Sequence, residues 1–130
     1  MLWQVLIVED DNKDRKKLID GLKGFAQCTE ALNGQQALKI YQNWRKKGKV
    51  FNFILLDVTM PEMDGFEVLK SIRAQEESYP PNNLKETHII MITSYKDSLM
   101  KNYNMGWDYF ITKPVDIKIL IDQMQAMSTV

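Results

Sequence analysis

Residues 51–57 read Phe-Asn-Phe-Ile-Leu-Leu-Asp and give the strongest single indication of the fold class. The run Phe51–Leu56 is nearly continuously apolar, which is typical of a central parallel strand that helices cover on both faces. One carboxylate, Asp57, ends the run. The chain then turns through Pro61 and Gly65 into a segment with helical spacing of its apolar residues. The sequence therefore predicts a buried strand that ends in an acid.

Short apolar runs of the same kind alternate with amphipathic segments along the whole chain. The predicted strands are Trp3–Val8, Gln27–Ala31, Phe51–Leu56, His88–Ile92 and Tyr109–Ile111. Helices are predicted from the acidic residues after the first strand to about Phe25, from Gly34 to Gly48, from Phe66 to the irregular stretch Gln75–Thr87, around Asp97–Met105, and over Ile117–Met127. This alternation indicates repeated βαβ units, and so an α/β domain with a parallel sheet of five strands.

Length and composition limit the class of protein further. The 130 residues correspond to one domain, 1–130, and the 17 basic and 17 acidic residues give a net charge of zero, which argues against direct nucleic-acid binding. The single Cys28 and the single His88 leave oxygen atoms as the available metal ligands. With no long apolar stretch and no secretion-type leader, we expect a cytoplasmic protein that does not interact with membranes.

Charged and polar residues follow four of the five predicted strands. Glu9–Asp11 follow the first strand, Asp57 the third, Thr93 the fourth and Lys113 the fifth. In an open parallel sheet, ligands bind outside the carboxyl ends of the strands, so these side chains are expected to converge. Carboxylates without a neighbouring histidine or thiol suit Mg²⁺, which keeps some of its sites for water and phosphate oxygens. The sequence predicts a site for Mg²⁺ and phosphate at this edge.

Taken singly, each of these residues has an ordinary structural explanation. Glu9–Asp11 can act as a helix N-cap, Thr93 as a common strand residue, and Lys113 as part of a turn before a helix. Cys28 and His88 lie in predicted strands and are expected to be structural. The joint occurrence of the acidic, hydroxyl and lysine positions at successive strand ends favours the functional interpretation.

Four motifs resemble the receiver domain of bacterial response regulators: LIVEDD at 6–11, LLDVTMPEMDG at 55–65, MITS at 91–94 and DYFITKP at 108–114. They occur in order and cover almost the whole chain. The resemblance implies a doubly wound, flavodoxin-like (βα)5 fold with strand order 2-1-3-4-5. It also implies a phosphoacceptor module of a two-component system or phosphorelay, and no activity on external substrates.

The resemblance further assigns roles to individual residues. Asp57 would be the phosphoacceptor, and Mg²⁺ would be held by Glu9, Asp10, Asp57 and the backbone carbonyl of Thr59. Lys113, before a cis-proline, would bind the phosphoryl group. The expected partners are a histidine kinase or a histidine phosphotransfer protein upstream, and a target protein or a second copy of the chain downstream.

The resemblance also implies how the phosphorylated state acts and how long it lasts. Thr93 would be the switch hydroxyl and Phe110 the switch aromatic. Thr59 and Tyr95 occupy the positions that tune dephosphorylation, and Tyr95 either lies across the path of the attacking water or points to solvent or a partner. We expect slow loss of the phosphoryl group, because Thr59 is short and Tyr95 is bulky.

The chain departs from the family pattern at several places. Arg45–Val50 and Gln75–Thr87 are longer than a compact receiver needs, and Thr93–Gly106 is short, so the fourth helix is expected to be reduced or shifted. Trp107 stands where a small residue is usual, and it either fills the space left by that helix or lies exposed as a contact residue.

Two other functions use related chemistry or the same topology. A phosphatase of the haloacid-dehalogenase type needs a second aspartate two residues after the nucleophile, where this chain has Thr59. A flavodoxin-like cofactor binder needs a loop rich in Gly, Ser and Thr after the first strand, whereas Glu9–Asp11 would repel a phosphate that lacks a metal. Both alternatives are disfavoured by these residues.

Overall fold

A computed structural model describes residues 2–60, 62–78, 87–94 and 106–128. In these ranges the elements are β1 (Trp3–Val8), α1 (Asn12–Gly21), β2 (Ala26–Ala31), α2 (Gly34–Lys46), β3 (Phe53–Asp57), α3 (Gly65–Ser78), β4 (His88–Thr93), β5 (Tyr109–Thr112) and α4 (Ile117–Ser128). The predicted helix around Asp97–Met105 and the residue Tyr95 lie outside the described residues.

The five strands form one parallel sheet in the order β2-β1-β3-β4-β5. This confirms the predicted doubly wound, flavodoxin-like fold and its strand order. Strand order reverses between β1 and β3, because the chain builds outward from β1 to β2 and then returns to place β3 on the other side. Such a reversal opens a crevice at the carboxyl ends of the two strands. None of the helices in the described ranges has the length and apolar character needed to cross a membrane.

Successive side chains of each strand point to opposite faces of the sheet, and they form two hydrophobic cores, one on each face. On β1, Val5 and Ile7 pack on the face that α1 and α4 cover, while Leu6 and Val8 pack on the face that α2 and α3 cover. Every residue of β3 is buried. The two-residue period of a strand thus supplies both cores from the same short sequences, as the apolar run at 51–57 predicts.

The first helix ends earlier than its apolar spacing predicts. Helix α1 stops at Gly21, and Gly24 follows with a left-handed φ of 85°. Because the helix has already ended, Phe25 does not lie on its buried stripe: it is 39% exposed, with its ring 6.4 Å from that of Trp3. At the other end, the predicted acidic N-cap is confirmed, since Asp11 accepts a hydrogen bond from the Asp14 amide at 2.9 Å.

Strand β3 begins two residues later than predicted. Asn52 is exposed and pairs with Gln4 through its side chain at 2.7 Å and through its backbone amide at 2.8 Å. Phe51 is buried but precedes the strand, where its ring stacks on Trp44 at 3.8 Å. The apolar run therefore combines a strand with a residue that closes the end of the core.

Helix α3 extends past Gln75 to Ser78, and Arg73 connects its last turns to the sheet. The guanidinium group of Arg73 donates to Glu76 at 2.7 Å and to the carbonyls of Thr87 and Gly106 at 2.9 and 2.8 Å. It also donates to the Asp108 carboxylate, which accepts a second hydrogen bond from the Ile89 amide at 2.7 Å. The partners of Arg73 therefore lie at the starts of both β4 and β5. This network holds the amino-terminal edge of the sheet, opposite the predicted site.

Gly65 is required where the chain turns back against the end of β3. A Cβ atom at this position would lie 2.4 Å from the Asp57 carbonyl oxygen and 2.9 Å from the Val58 Cα atom. Both neighbours are backbone atoms, so they cannot rotate away. The close approach is fixed by a hydrogen bond from the Gly65 amide to the Val58 carbonyl at 2.9 Å.

We predict that Gly65→Ala lowers the free energy of unfolding by about 2–3 kcal/mol, since the added methyl group forces the backbone apart. Gly24→Ala is the control, because nothing lies within 4 Å of its added Cβ and only the left-handed φ opposes the change, at a cost of about 1–2 kcal/mol. Urea unfolding of both variants measures the difference. An equal or smaller loss for Gly65→Ala would contradict the steric explanation.

Candidate functional site

Three carboxylates meet where β1 and β3 end side by side. Strand β1 pairs with β3 in a register that places Val8 opposite Leu56, so Glu9 and Asp57 follow at adjacent positions. One oxygen from each of Glu9, Asp10 and Asp57 lies within 4.8 Å of the others. Glu9 and Asp57 are buried, at 1% and 4% exposure, whereas Asp10 is exposed. The group forms a pocket that is open to solvent at one side and has the geometry to hold a metal ion.

Lys113 reaches this pocket from the end of β5. Its ammonium nitrogen lies 2.9 Å from Glu9 Oε1, 2.9 Å from Asp14 Oδ2 and 3.6 Å from Asp57 Oδ2. The Lys113–Pro114 peptide bond is cis, as the resemblance implies. The structure thus brings Glu9, Asp10, Asp57 and Lys113 together, as expected from their positions at strand ends.

Backbone contacts hold the acidic side chains in place. The Asp57 carboxylate accepts a hydrogen bond from the Thr59 amide at 3.2 Å, and the Glu9 carboxylate accepts one from the Asp11 amide at 3.3 Å. Arg15, on α1, donates to the Glu9 carbonyl at 3.0 Å. These contacts fix the carboxylates but leave several of their oxygen lone pairs available for a further ligand.

Burial and neighbouring groups change the pKa values of two residues in the pocket, Glu9 and Lys113. Burial, together with a hydrogen bond to Asp57 and the charge of Asp57, raises the pKa of Glu9 to about 8, although the contact with Lys113 opposes the change. Burial by itself would lower the pKa of Lys113, but its hydrogen bonds to Glu9 and Asp14 outweigh this and raise it above the usual range. Glu9 therefore binds its proton more tightly than an exposed glutamate does, and the pocket brings together more carboxylates than the single ammonium group of Lys113 can pair with.

The two predicted switch residues lie on neighbouring strands next to the pocket. Thr93 is fully buried at the end of β4, and its carbonyl accepts a hydrogen bond from the Lys113 amide at 2.8 Å. Phe110 is half-buried on β5, and its ring meets that of Trp107 edge-on at 5.3 Å. Trp107 is itself half-buried and packs against the core on the α2 and α3 face.

Two functional neighbours were not predicted from the sequence. Asp14 binds the Lys113 ammonium, and Arg15 links the Glu9 carbonyl to Glu30 on β2 through an ion pair of 2.8 Å. Both residues belong to the first turns of α1. The signal available in the sequence was the placement of Asp14 three residues after the N-cap Asp11, within one turn of the strand end.

Comparisons with known proteins agree with this geometry. A family model described as the response regulator receiver domain matches residues 5–125. Hybrid signal transduction histidine kinase I of Dictyostelium discoideum is 32% identical over 130 residues, covering 94% of this chain and 7% of that protein. Transcriptional regulatory protein CiaR of Streptococcus pneumoniae is 29% identical over 127 residues, covering 95% of this chain and 50% of that protein. The chain thus spans half or less of these relatives.

A solved structure shares the fold over nearly the whole chain. The receiver domain of the histidine kinase CKI1 from Arabidopsis thaliana, complexed with Mg²⁺ and BeF3⁻, superimposes with a TM-score of 0.77 at 27% identity, covering 95% of this chain and 90% of that one. The doubly wound sheet and the acidic pocket beside a lysine define a phosphoacceptor domain of two-component signalling. The chain belongs to the family of response regulator receiver domains. The matches described above support neither the phosphatase nor the flavodoxin-like alternative.

The raised pKa of Glu9 predicts how stability depends on pH in the absence of divalent cations. Folded Glu9 binds its proton more tightly than the unfolded side chain, with a pKa of about 8 instead of 4.5, so the stability it contributes is lost as pH rises between these values. The loss is on the order of a few kcal/mol, since one pKa unit corresponds to about 1.4 kcal/mol. Urea unfolding with a chelator, at several pH values in this interval, measures it.

Glu9→Gln is the control for this pH dependence, because the amide is neutral at every pH. We expect the variant to show a nearly flat stability curve over the interval and to exceed the wild type near pH 8. The lowered pKa of Asp11 changes the stability only below pH 3.8, and the raised pKa of Lys113 changes it only above pH 10.5. Neither residue therefore contributes to the pH dependence of stability between pH 4.5 and 8. If the stability of the wild type depended as little on pH as that of the variant, Glu9 would not be the group that causes the pH dependence.

Proposed function

We propose that Asp57 accepts a phosphoryl group from a phosphohistidine of a partner protein, which is a histidine kinase or a histidine phosphotransfer protein. The observation that carries this proposal is the position of Asp57: it is buried at the end of β3, with Glu9 and Asp10 oxygens within 4.8 Å and the Lys113 ammonium at 3.6 Å. A carboxylate in this position can act as a nucleophile, and the surrounding charges can bind the phosphoryl oxygens.

The residues at the site fit Mg²⁺. The donors are carboxylate oxygens with a small separation, one of them is exposed, and the pocket has the negative charge that a divalent cation neutralises. Glu9, Asp10, Asp57 and the backbone carbonyl of Thr59 would hold the ion. When bound, Mg²⁺ supplies charge neutralisation on the phosphoryl oxygens.

Phosphoryl transfer needs little further chemistry from the protein. An oxygen of Asp57 forms a bond to phosphorus, the bond from phosphorus to the imidazole nitrogen of the donor breaks, and the imidazole leaves with the electron pair. Lys113 stabilises the negative charge on the phosphoryl oxygens, since positioning and electrostatics supply most of the rate in this reaction. Asp57 must stay oriented, which the hydrogen bond from the Thr59 amide favours.

The phosphorylated site would act through β4 and β5. The Thr93 hydroxyl would donate a hydrogen bond to a phosphoryl oxygen, and the end of β4 would move with it. Phe110 would follow toward the space that Thr93 leaves, changing the surface for a target protein or a second copy of the chain. Thr59 and Tyr95 would set the lifetime of this state by controlling access of water, although Tyr95 lies outside the described residues.

The same proposal extends to the domain organisation, the binding properties and the location of the protein. Residues 1–130 would form a single signalling domain that acts on no external substrate, binds neither nucleic acid nor membrane directly, and works in the cytoplasm. Thr59 in place of an acid two residues after Asp57 argues against turnover as a phosphatase, since no general acid or base is present at that position. The partner and the target of the whole protein would determine its response.

We predict that acetyl phosphate and Mg²⁺ add one phosphoryl group to the protein and that Asp57→Asn abolishes the addition, because the amide is not a nucleophile at neutral pH. Intact-mass spectrometry measures the labelled fraction. Asp20→Asn removes an exposed carboxylate from α1 and is the matched control, with labelling expected to equal that of the wild type. Labelling of Asp57→Asn at the wild-type level would place the acceptor elsewhere.

We predict that Asp10→Asn weakens Mg²⁺ binding by at least about tenfold, because it removes both a negative charge and a ligand oxygen. Titration followed by the intrinsic fluorescence of the protein or by calorimetry gives the affinity. Asp11→Asn is the matched control: it removes the adjacent charge, lies outside the carboxylate group, and retains a side chain that caps α1. Equal losses in both variants would indicate a general charge effect and contradict Asp10 as a ligand.

A further inference from the structure

Asp14 contacts the site without belonging to any strand end. It lies in the first turn of α1, and its Oδ2 accepts a hydrogen bond from the Lys113 ammonium at 2.9 Å. The two residues are 99 positions apart in the chain. The helix therefore adds a carboxylate to the pocket, and this carboxylate contacts Lys113 as those of Glu9 and Asp57 do.

The distances show which carboxylates hold the lysine in the unphosphorylated domain. Glu9 and Asp14 each accept a hydrogen bond from the ammonium group at 2.9 Å, while Asp57 Oδ2 lies at 3.6 Å, beyond hydrogen-bond length. An ammonium group has three N–H bonds, and two of them can donate to Glu9 at the end of β1 and to Asp14 on α1. Lys113 is therefore hydrogen-bonded to Glu9 and Asp14, and it contacts the proposed acceptor only at the longer distance.

Burial makes this contact stronger than an ordinary surface ion pair. The Lys113 side chain is 21% exposed and that of Glu9 only 2%, whereas Asp14 is 46% exposed. Exposed pairs contribute little because water screens them, but a pair with one partner largely buried is screened less. Asp14 also adds a negative charge next to the place where a phosphoryl group must bind.

We propose that Asp14 is a positioning residue that restrains Lys113 in the unphosphorylated domain and so slows phosphorylation of Asp57. This inference rests on the proposed function of Asp57 as the acceptor. Lys113 must shift from the α1 side toward the incoming phosphoryl oxygens, and its bond to Asp14 opposes the shift. The described side-chain contact of Asp14 is with Lys113 and not with Asp57, so Asp14 would act through Lys113.

The test measures the rate of phosphorylation by acetyl phosphate in the presence of Mg²⁺. An oxygen of Asp57 forms a bond to phosphorus, the bond from phosphorus to the acetyl oxygen breaks, and acetate leaves with the electron pair. We expect Asp14→Asn to increase the initial rate about three- to tenfold, a range that reflects a partly screened ion pair. Intact-mass spectrometry at successive times gives the rate, and urea unfolding verifies that the variant is folded.

Two matched variants separate positioning from a general charge effect. Asp11→Asn removes a charge from the same end of α1 and keeps the helix cap, but Asp11 has no hydrogen bond or ion pair with Lys113 among the described contacts. Because Asp11 acts on Lys113 only at a distance, through its charge, the rate of this variant is expected to rise much less than that of Asp14→Asn. Asp14→Glu retains the charge and is expected to bring the rate back toward the wild-type value, which a purely structural role of Asp14 would not produce.

The outcomes distinguish this inference from the proposed function. If the wild type is labelled on Asp57 but Asp14→Asn is no faster, or Asp11→Asn is equally accelerated, the restraint by Asp14 is refuted and the acceptor assignment stands. If the wild type is not labelled at all, the acceptor assignment fails and the inference fails with it. Faster labelling in Asp14→Asn alone, reversed in Asp14→Glu, supports the restraint.

Discussion

Repulsion between carboxylates at the end of the sheet is the interaction on which the rest of the site depends. Glu9 and Asp57 are almost completely buried, and they share the pocket with Asp10. Like charges that are withdrawn from water and placed close together are unfavourable unless a proton or another cation joins them. Burial is the main cause of the raised pKa of Glu9, and the hydrogen bond to Asp57 and the charge of Asp57 raise it further. The same excess of carboxylates favours the binding of a cation, and under the proposed function a phosphoryl group would bind beside it.

The fold tolerates this repulsion because the strands that carry the acids are largely buried. Side chains of β1 and β3 enter both hydrophobic cores, and a fully buried apolar side chain contributes about 1.5–3 kcal/mol. The pairing of Val8 with Leu56 fixes where Glu9 and Asp57 emerge. Gly65 then lets the chain turn closely against the end of β3. Burial of apolar side chains along β1 and β3 therefore offsets the unfavourable burial of the carboxylates at the ends of these strands.

The sequence predicts the fold and much of the site because parallel strands bring their carboxyl ends to one edge. Glu9, Asp57 and Lys113 therefore meet whatever the details of packing. Residues whose position depends on helix rotation or on distant contacts were not predictable in this way. Asp14 reaches Lys113 only because α1 turns that face inward, and Phe25 is exposed because α1 ends at Gly21. The partners of Arg73 come from segments up to 35 residues away, which no local pattern indicates.

The contacts at the two edges of the sheet differ in a way that bears on signalling. At the amino-terminal edge, Asp108 accepts hydrogen bonds from Ile89 and Arg73, so the starts of β4 and β5 are tied to each other and to α3. At the carboxyl edge, the same two strands are joined by the hydrogen bond from the Lys113 amide to the Thr93 carbonyl. This hydrogen bond couples the backbone of Thr93 to that of Lys113. Under the proposed function, a phosphoryl group that attracts both residues would act on one connected unit, and its displacement would be confined to the edge that carries the acceptor, because the opposite edge is held by Arg73.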